Sequence, residues 1–151
     1  MSRNDNNNTS KKKIAVLMTC HNRCDFTLSC LQALDRQKVN VRVYLVDDGS
    51  TDNTSEAVRI NYPEIKIIQG NGNLFWVGGM RLAFAAAIED DCDYYLWLND
   101  DTILKPNAIG NLLEISDRLE EKGDRDSIIV GSTQDPVTGK PTYGGAVRSK
   151  V

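Results

Sequence analysis

The chain has 151 residues, of which 40% are apolar and 26% charged, with a formal net charge of −3. A chain of about 150 residues is long enough for one packed domain, and no apolar run approaches the ~18 residues of a membrane span. The acidic balance excludes a general nucleic-acid-binding groove and the opening residues do not resemble a signal peptide, so we expect a soluble intracellular domain.

The first segment, residues 1–12, is polar and rich in asparagine. It has no hydrophobic periodicity and too few apolar side chains to offset the entropy of ordering. We therefore predict a disordered lead-in over residues 1–12 and one domain over residues 13–151.

Short apolar runs alternate with segments of helical length from residue 14 onward. The runs are IAVLMT, VRVYLV, IKII and YYLWL, and helices are predicted over residues 25–37, 53–60, 79–89 and 106–121. This alternation predicts an α/β fold with a mostly parallel sheet and helices on both faces, because parallel neighbours need crossover connections. SIIVGST and PTYGGAV, joined by QDPVTGK, predict two further strands around a turn.

Polar side chains follow three of the predicted strands, where ligands bind in open α/β sheets. They lie in residues 19–23, 47–50 and 99–101. Each group has a structural alternative, such as an ordinary turn with a helix cap or a single structural histidine. Carboxylates gathered at the mouth of a buried sheet repel one another unless a cation separates them, which favours a divalent-metal site.

The loop GNGNLFWVGGM, residues 70–80, is rich in glycine and precedes a predicted helix. Glycines allow the backbone to approach a ligand closely, and a helix start offers N–H groups to phosphate. The alternative is a flexible loop whose Phe75 and Trp76 pack on the core.

The four cysteines, Cys20, Cys24, Cys30 and Cys92, lack the paired short spacings of a zinc site. Because the chain is neither short nor secretory in appearance, we expect reduced thiols that are packed or incidental.

Four ordered motifs, IAVLMTCHNR, VYLVDDGSTDNT, GNGNLFWVGGM and YYLWLNDDTILKPNAI, resemble the nucleotide-sugar-binding half of family 2 glycosyltransferases with the GT-A fold. Within that family the chain is most similar to the rhamnosyltransferase-like branch. The resemblance covers about residues 13–146. It implies a Rossmann-like sheet and transfer of a sugar from a nucleotide-diphosphate sugar, UDP- or dTDP-linked, to a glycan or lipid-linked acceptor.

The resemblance also implies a nucleoside site. Thr19 matches the position that holds the nucleoside, and His21 stands where the family usually has a stacking tyrosine. Arg23 takes the basic position of the same motif. Asp48 matches the carboxylate that hydrogen-bonds the base, with Asp47 as its neighbour.

A metal and diphosphate site is implied by the fourth motif. Asp101 would bind Mn²⁺ or Mg²⁺ and Asp100 would contact ribose or phosphate, while Asn99 replaces the leading acid of the family's signature. Arg81 would reach the diphosphate. A bound cation neutralises the charge that develops on the diphosphate leaving group. Related enzymes act in cell-envelope polysaccharide synthesis, which implies a cytoplasmic protein at the inner face of the membrane.

An inverting transfer also needs a general base for the acceptor hydroxyl. In the resembled family this base is an Asp or Glu of a C-terminal half that also builds the acceptor site. Asp135, in a predicted turn, is a weak candidate here. We therefore expect a truncated, donor-binding portion with little or no transferase activity alone.

Two alternatives stay open from the sequence. One is a noncatalytic nucleotide-sugar-binding or interaction module of the same fold. The other is a nucleotidyltransferase, although that class carries a glycine-rich signature after the first strand, where this chain has TCHNR.

Overall fold

The computed structural model describes residues 12–143. The chain divides into two compact units, with the boundary between Pro106 and Asn107. Apart from Lys12, the predicted disordered lead-in lies outside the described residues. No helix within residues 12–143 is both long and apolar enough to cross a lipid bilayer.

The first unit contains the predicted parallel sheet, which the structure confirms. Its strands are β1 (Ile14–Cys20), β2 (Val41–Asp47), β3 (Lys66–Gln69) and β4 (Tyr94–Trp97). They lie in the order β3-β2-β1-β4, and every pair is parallel. The connections hold α1 (Cys24–Asp35), α2 (Thr54–Asn61) and α3 (Phe75–Ala87), the last followed by a 3₁₀ turn at Ile88–Asp90.

Strand β1 lies in the interior of the sheet and is buried on both faces. Ala15 and Leu17 join Met80 of α3 in one buried cluster. Val16 and Met18 have no exposed surface, and they point to the opposite face because successive side chains of a strand alternate. A strand covered on both faces is expected to be continuously apolar, as the run IAVLM is.

Helix α3 begins at Phe75, earlier than the predicted start at residue 79. The backbone N–H groups of Leu74 and Phe75 donate to Asp48 Oδ2, at 2.8 and 3.0 Å. A helix leaves its first N–H groups without intrahelical partners, and here a distant carboxylate supplies an acceptor. A local sequence pattern does not contain this tertiary contact.

The order of the strands creates a switch point between β1 and β4. The chain runs from β1 through β2 to β3 on one side of the sheet and then returns to place β4 on the other side of β1. The carboxyl edge of the sheet at this switch point, here called the crevice, is the place where doubly wound sheets bind ligands.

The second unit contains α4 (Ala108–Glu121), β5 (Thr133–Gln134) and β6 (Pro141–Tyr143). Gly123, with a φ of +86°, follows the end of α4, and its N–H donates to the Glu120 carbonyl at 2.9 Å. The prediction of a strand over SIIVGST is wrong for residues 127–132. Ile128 there is 93% exposed, so the apolar run lacks the burial that would order it as a strand. The predicted last strand is described only as far as Tyr143.

Candidate functional site

The crevice at the switch point brings together the polar segments that follow β1 and β4. Pairing between these strands extends past the end of β4, because the Leu98 N–H donates to the Leu17 carbonyl at 3.0 Å. Residues 19–23 and 99–101 thus leave the same edge of the sheet side by side. The structure therefore brings these two segments together.

Arg23 forms an ion pair with each of the two acids that follow β4. Its Nη2 lies 2.7 Å from Asp101 Oδ2, and its Nε lies 3.1 Å from Asp100 Oδ2. The Nη2 contact is a hydrogen bond. The Nε contact does not have the geometry of a hydrogen bond. Both Arg23 Nε and Asp100 Oδ2 are therefore buried without a hydrogen-bond partner in the described structure.

Asp100 and Asp101 differ in environment. The Asp100 side chain is 11% exposed and that of Asp101 is 48% exposed. Burial raises the pKa of the Asp100 carboxyl above its usual value; the Arg23 charge opposes this shift and the negative charge of Asp101 adds to it. Asp100 is therefore a desolvated anion that gains from a nearby cation.

The donor set fits a divalent cation that completes its coordination with substrate and water. Within residues 12–143 there is no cluster of three or more His, Cys, Asp or Glu side chains that could hold an ion alone. Mg²⁺ is commonly bound by one or two carboxylates together with substrate phosphates and water. Asp100 and Asp101 are such a pair, and the buried oxygen of Asp100 has an unused acceptor position.

Asp48 lies at the end of β2 and is 4% exposed. Its carboxylate organises the loop over residues 70–75, here called the glycine loop. Its Oδ1 accepts the Gly72 N–H at 2.8 Å, and its Oδ2 accepts those of Leu74 and Phe75. A Cβ at Gly70 would lie 2.5 Å from Oδ1, so glycine is required there. The sequence suggested that this helix start offers N–H groups to phosphate. These three amides are already occupied by Asp48, so they are not free to bind phosphate.

Asp47 is also engaged within the protein. Its Oδ1 accepts the Ser50 N–H at 2.9 Å, and its Oδ2 accepts the Ser55 hydroxyl. Gln69 donates to the Ser55 hydroxyl oxygen at 2.9 Å. With an exposed fraction of 1%, Asp47 ties the loop after β2 to α2 and to the end of β3.

A hydrogen-bonded network joins the loops after β1 and β2. His21 Nδ1 donates to the Asp48 carbonyl at 2.6 Å, which makes Nε2 of the neutral ring the acceptor for Asn22 Nδ2 at 3.2 Å. The Asn22 N–H donates to Ser50 Oγ, and Asn22 Oδ1 accepts the Thr51 N–H at 2.7 Å. His21 is thus held at the crevice by one ring nitrogen while its side chain stays exposed.

Thr19 lies in the packing between β1 and α3, whereas Arg81 is an exposed residue of α3. A Cβ at Gly79 would lie 2.1 Å from Thr19 Oγ1, so the helix backbone rests directly on this side chain. Arg81 is exposed. It forms no ion pair with another residue of the described part of the chain, and its predicted contact with a diphosphate stays a prediction.

The tryptophans Trp76 and Trp97 lie together beside Asn99, a feature that the sequence did not predict. Trp76 Nε1 donates to Asn99 Oδ1 at 2.9 Å, and the Trp76 and Trp97 rings meet edge to face at 5.9 Å. Phe75 and Trp76 are 77% and 46% exposed. The alternative in which they pack on the core is therefore wrong, and because Trp76 meets a side chain 23 positions away, no local sequence signal could have revealed it.

Asp135, the weak candidate for a general base, lies in a turn of the second unit. Its Oδ1 accepts the Val137 N–H, the Thr138 N–H and the Thr138 hydroxyl. Hydrogen bonds from the Thr138 N–H and hydroxyl lower the pKa of the Asp135 carboxyl. This shift makes it a weaker base, so the geometry favours a structural turn.

Comparison with known proteins gives one family match. The family model described as "Glycosyl transferase family 2" matches residues 15–143. Chondroitin synthase of Pasteurella multocida (strain Pm70) is 29% identical over 101 residues, which are 64% of this chain and 10% of the synthase. An uncharacterized glycosyltransferase of Rickettsia conorii is 27% identical over 122 residues, 78% of this chain and 19% of that protein. The chain therefore spans a fifth or less of these relatives.

Solved structures share the fold at low identity. S. aureus TarS 1-349 in complex with UDP has a TM-score of 0.63 and 20% identity, covering 72% of this chain and 33% of that one. The mannosyltransferase PcManGT of Pyrobaculum calidifontis, in complex with GDP-Man and Mn²⁺, has a TM-score of 0.62 and 17% identity, covering 83% and 36%. At these identities the likeness shows the GT-A fold.

Proposed function

The chain belongs to glycosyl transferase family 2, and on that premise we propose that it provides the donor and metal site for transfer of a sugar from a nucleotide-diphosphate sugar. The observation that carries this proposal is the pair Asp100 and Asp101 at the switch point, bridged by Arg23. Carboxylates at this place bind an anionic ligand through a cation, and a diphosphate is the ligand that needs one.

Asp100 and Asp101 would hold Mn²⁺ or Mg²⁺ in this proposal. When bound, the ion neutralises the negative charge that develops on the diphosphate as the sugar departs. Arg23 adds a second positive group beside these acids, in a fork geometry suited to phosphate oxygens. The complexes of TarS with UDP and of PcManGT with GDP-Man and Mn²⁺ support this arrangement for a protein of the same fold.

The nucleoside would bind in the loops after β1 and β2. Thr19 and His21 would contact it from the end of β1 and the loop that follows, and Asp48 fixes the glycine loop. Asp48 Oδ1 accepts one backbone N–H, and a carboxylate oxygen has two lone pairs, so one position is left for the N–H of a uracil or thymine ring. A hydrogen bond at this position favours UDP- or dTDP-linked donors.

The acceptor in this proposal is a glycan or a lipid-linked sugar, at the cytoplasmic face of a membrane. The names of two relatives, the chondroitin and hyaluronan synthases of Pasteurella multocida, support a glycan acceptor. The general base for this step is not among the residues we assign.

Calorimetric titration with UDP, dTDP, GDP and ADP, each with Mn²⁺, tests the proposal. We expect UDP or dTDP to bind more tightly than the purine nucleotides. Equal affinity for all four would contradict the nucleoside site, and no binding of any of them would contradict the function. Hydrolysis of a UDP-sugar, followed by release of UDP, separates an enzyme from a noncatalytic binding module.

A further inference from the structure

The position of Arg23 implies a role that extends the proposed function and rests on it. We infer that the Arg23 guanidinium is an internal counter-ion that competes with the divalent cation for Asp100 and Asp101. Binding of the metal displaces it toward the diphosphate, so Arg23 couples binding of metal and donor.

Competition follows from the atoms involved. One guanidinium contacts Oδ2 of both acids, at 2.7 Å for Asp101 and 3.1 Å for Asp100. A divalent ion needs carboxylate oxygens at about 2.0–2.6 Å. The cation and the guanidinium cannot occupy the space between the same two oxygens together, so each excludes the other.

Arg23 has contacts that hold it in this place without any ligand. Its Cζ lies 4.8 Å from the centre of the Phe26 ring, a cation–π contact within α1 and its preceding loop. Its side chain is 40% exposed, and the Asp100 carboxylate is 11% exposed. A carboxylate this buried is costly without a positive partner, so Arg23 stabilises the site before a cation arrives.

The ion pair between Arg23 and Asp100 nevertheless leaves the Asp100 carboxylate without a full set of hydrogen bonds. The Nε contact lacks hydrogen-bond geometry, and Asp100 Oδ2 is left with an unsatisfied acceptor position. A metal ion would use the free acceptor position of this oxygen. The displaced Arg23 guanidinium can then form a bidentate contact with a diphosphate in place of its contacts with the two carboxylates. Nucleotide therefore lowers the cost of displacing Arg23, and by linkage it raises the affinity for metal.

Electron paramagnetic resonance titration of Mn²⁺ alone into the full chain tests this. We expect Arg23→Gln to bind Mn²⁺ about five- to tenfold more tightly than the wild type, since it removes a competing ion pair worth about 1 kcal/mol. We expect UDP to enhance Mn²⁺ affinity in the wild type and to do so much less in the variant. Arg42→Gln is the control, because Arg42 pairs with Asp90 at the opposite edge of the sheet, and its Mn²⁺ affinity should match the wild type.

Unchanged or weaker Mn²⁺ binding by Arg23→Gln would overturn the inference and leave the metal site standing. Absence of Mn²⁺ binding by wild type and variant, with and without UDP, would instead overturn the metal site itself. If Arg23→Gln fails to fold, NMR of the wild type decides. Saturating Mg²⁺ is expected to shift the Arg23 side-chain Nε–Hε signal and not that of Arg42, and an unmoved Arg23 signal would contradict displacement.

Discussion

The backbone N–H of Gly72 donates a 2.8 Å hydrogen bond to Oδ1 of Asp48. A side chain at the end of β2 thereby fixes a loop that begins after β3, and the same carboxylate accepts two further amides at the start of α3. The shape of the crevice therefore depends on one buried acid. This dependence can be tested apart from any ligand.

Asp48→Asn is expected to destabilise the fold by about 1.5–3 kcal/mol, because a buried charged acceptor of three amides is replaced by a group with an N–H₂ donor facing N–H donors. Hydrogen exchange at Gly72, Leu74 and Phe75 should accelerate most. The control is Asp47→Asn, whose partners are Ser50 and Ser55. Equal acceleration of the glycine-loop amides in both variants would contradict the assignment.

Gly79→Ala is expected to destabilise the chain by about 1–3 kcal/mol through overpacking. The new Cβ would lie 2.1 Å from Oγ1 and 2.7 Å from Cβ of Thr19, and rotation of the Thr19 side chain cannot move its Cβ. Gly110→Ala is the matched helical control, because its Cβ would meet the end of the Asn107 side chain. Urea unfolding measures both, and equal stability of Gly79→Ala and the wild type would show that α3 does not rest on Thr19.

The cysteines should react in an order set by burial. All four are free thiols in this structure, and burial raises the pKa of Cys20 and of Cys30 to about 12. Because the thiolate is the reactive form, both should stay unmodified at pH 8 while Cys24 and Cys92, which are partly exposed, react first. Alkylation followed by mass spectrometry reads the order. Early labelling of Cys30 in the folded chain would be incompatible with this packing.

Asn99→Ala is expected to increase the mobility of the Trp76 ring. The indole Nε1 donates to Asn99 Oδ1 at 2.9 Å, and this bond orients the ring relative to Asn99. The chain has two tryptophans, so in a Trp97→Phe background the emission comes from Trp76 alone. Its fluorescence anisotropy should fall in Asn99→Ala and not in the neighbouring control Asn73→Ala. Unchanged anisotropy would mean that Asn99 does not orient the ring.

Local pattern was sufficient for the sheet, because residues 14–18 of β1 and residues 43–46 of β2 are buried and continuously apolar. It was insufficient where a distant group decides the structure. The start of α3 depends on Asp48, twenty-seven residues before Phe75 in the chain. The Ile128 segment is apolar without being buried, and the spacing of residues does not reveal such exposure.

The candidate site, like the fold, could be predicted from local pattern only in part. The acids and Arg23 could be placed at strand ends because carboxyl ends of parallel strands share an edge. That Arg23 contacts both acids could not be predicted, since the pair joins residues seventy-eight positions apart. The orientation of Trp76 depends likewise on a side chain from another strand end.

The most direct test of the central claim is calorimetric titration of UDP into wild type and Asp101→Ala, each with Mn²⁺ and with EDTA. We predict that the wild type binds UDP at least tenfold more tightly with Mn²⁺ than with EDTA, and that Asp101→Ala loses this difference. Asp126→Asn, an exposed acid of the second unit, should behave as the wild type. Equal binding of UDP with and without Mn²⁺, or an Mn²⁺ dependence that survives in Asp101→Ala, would contradict the metal-bridged donor site.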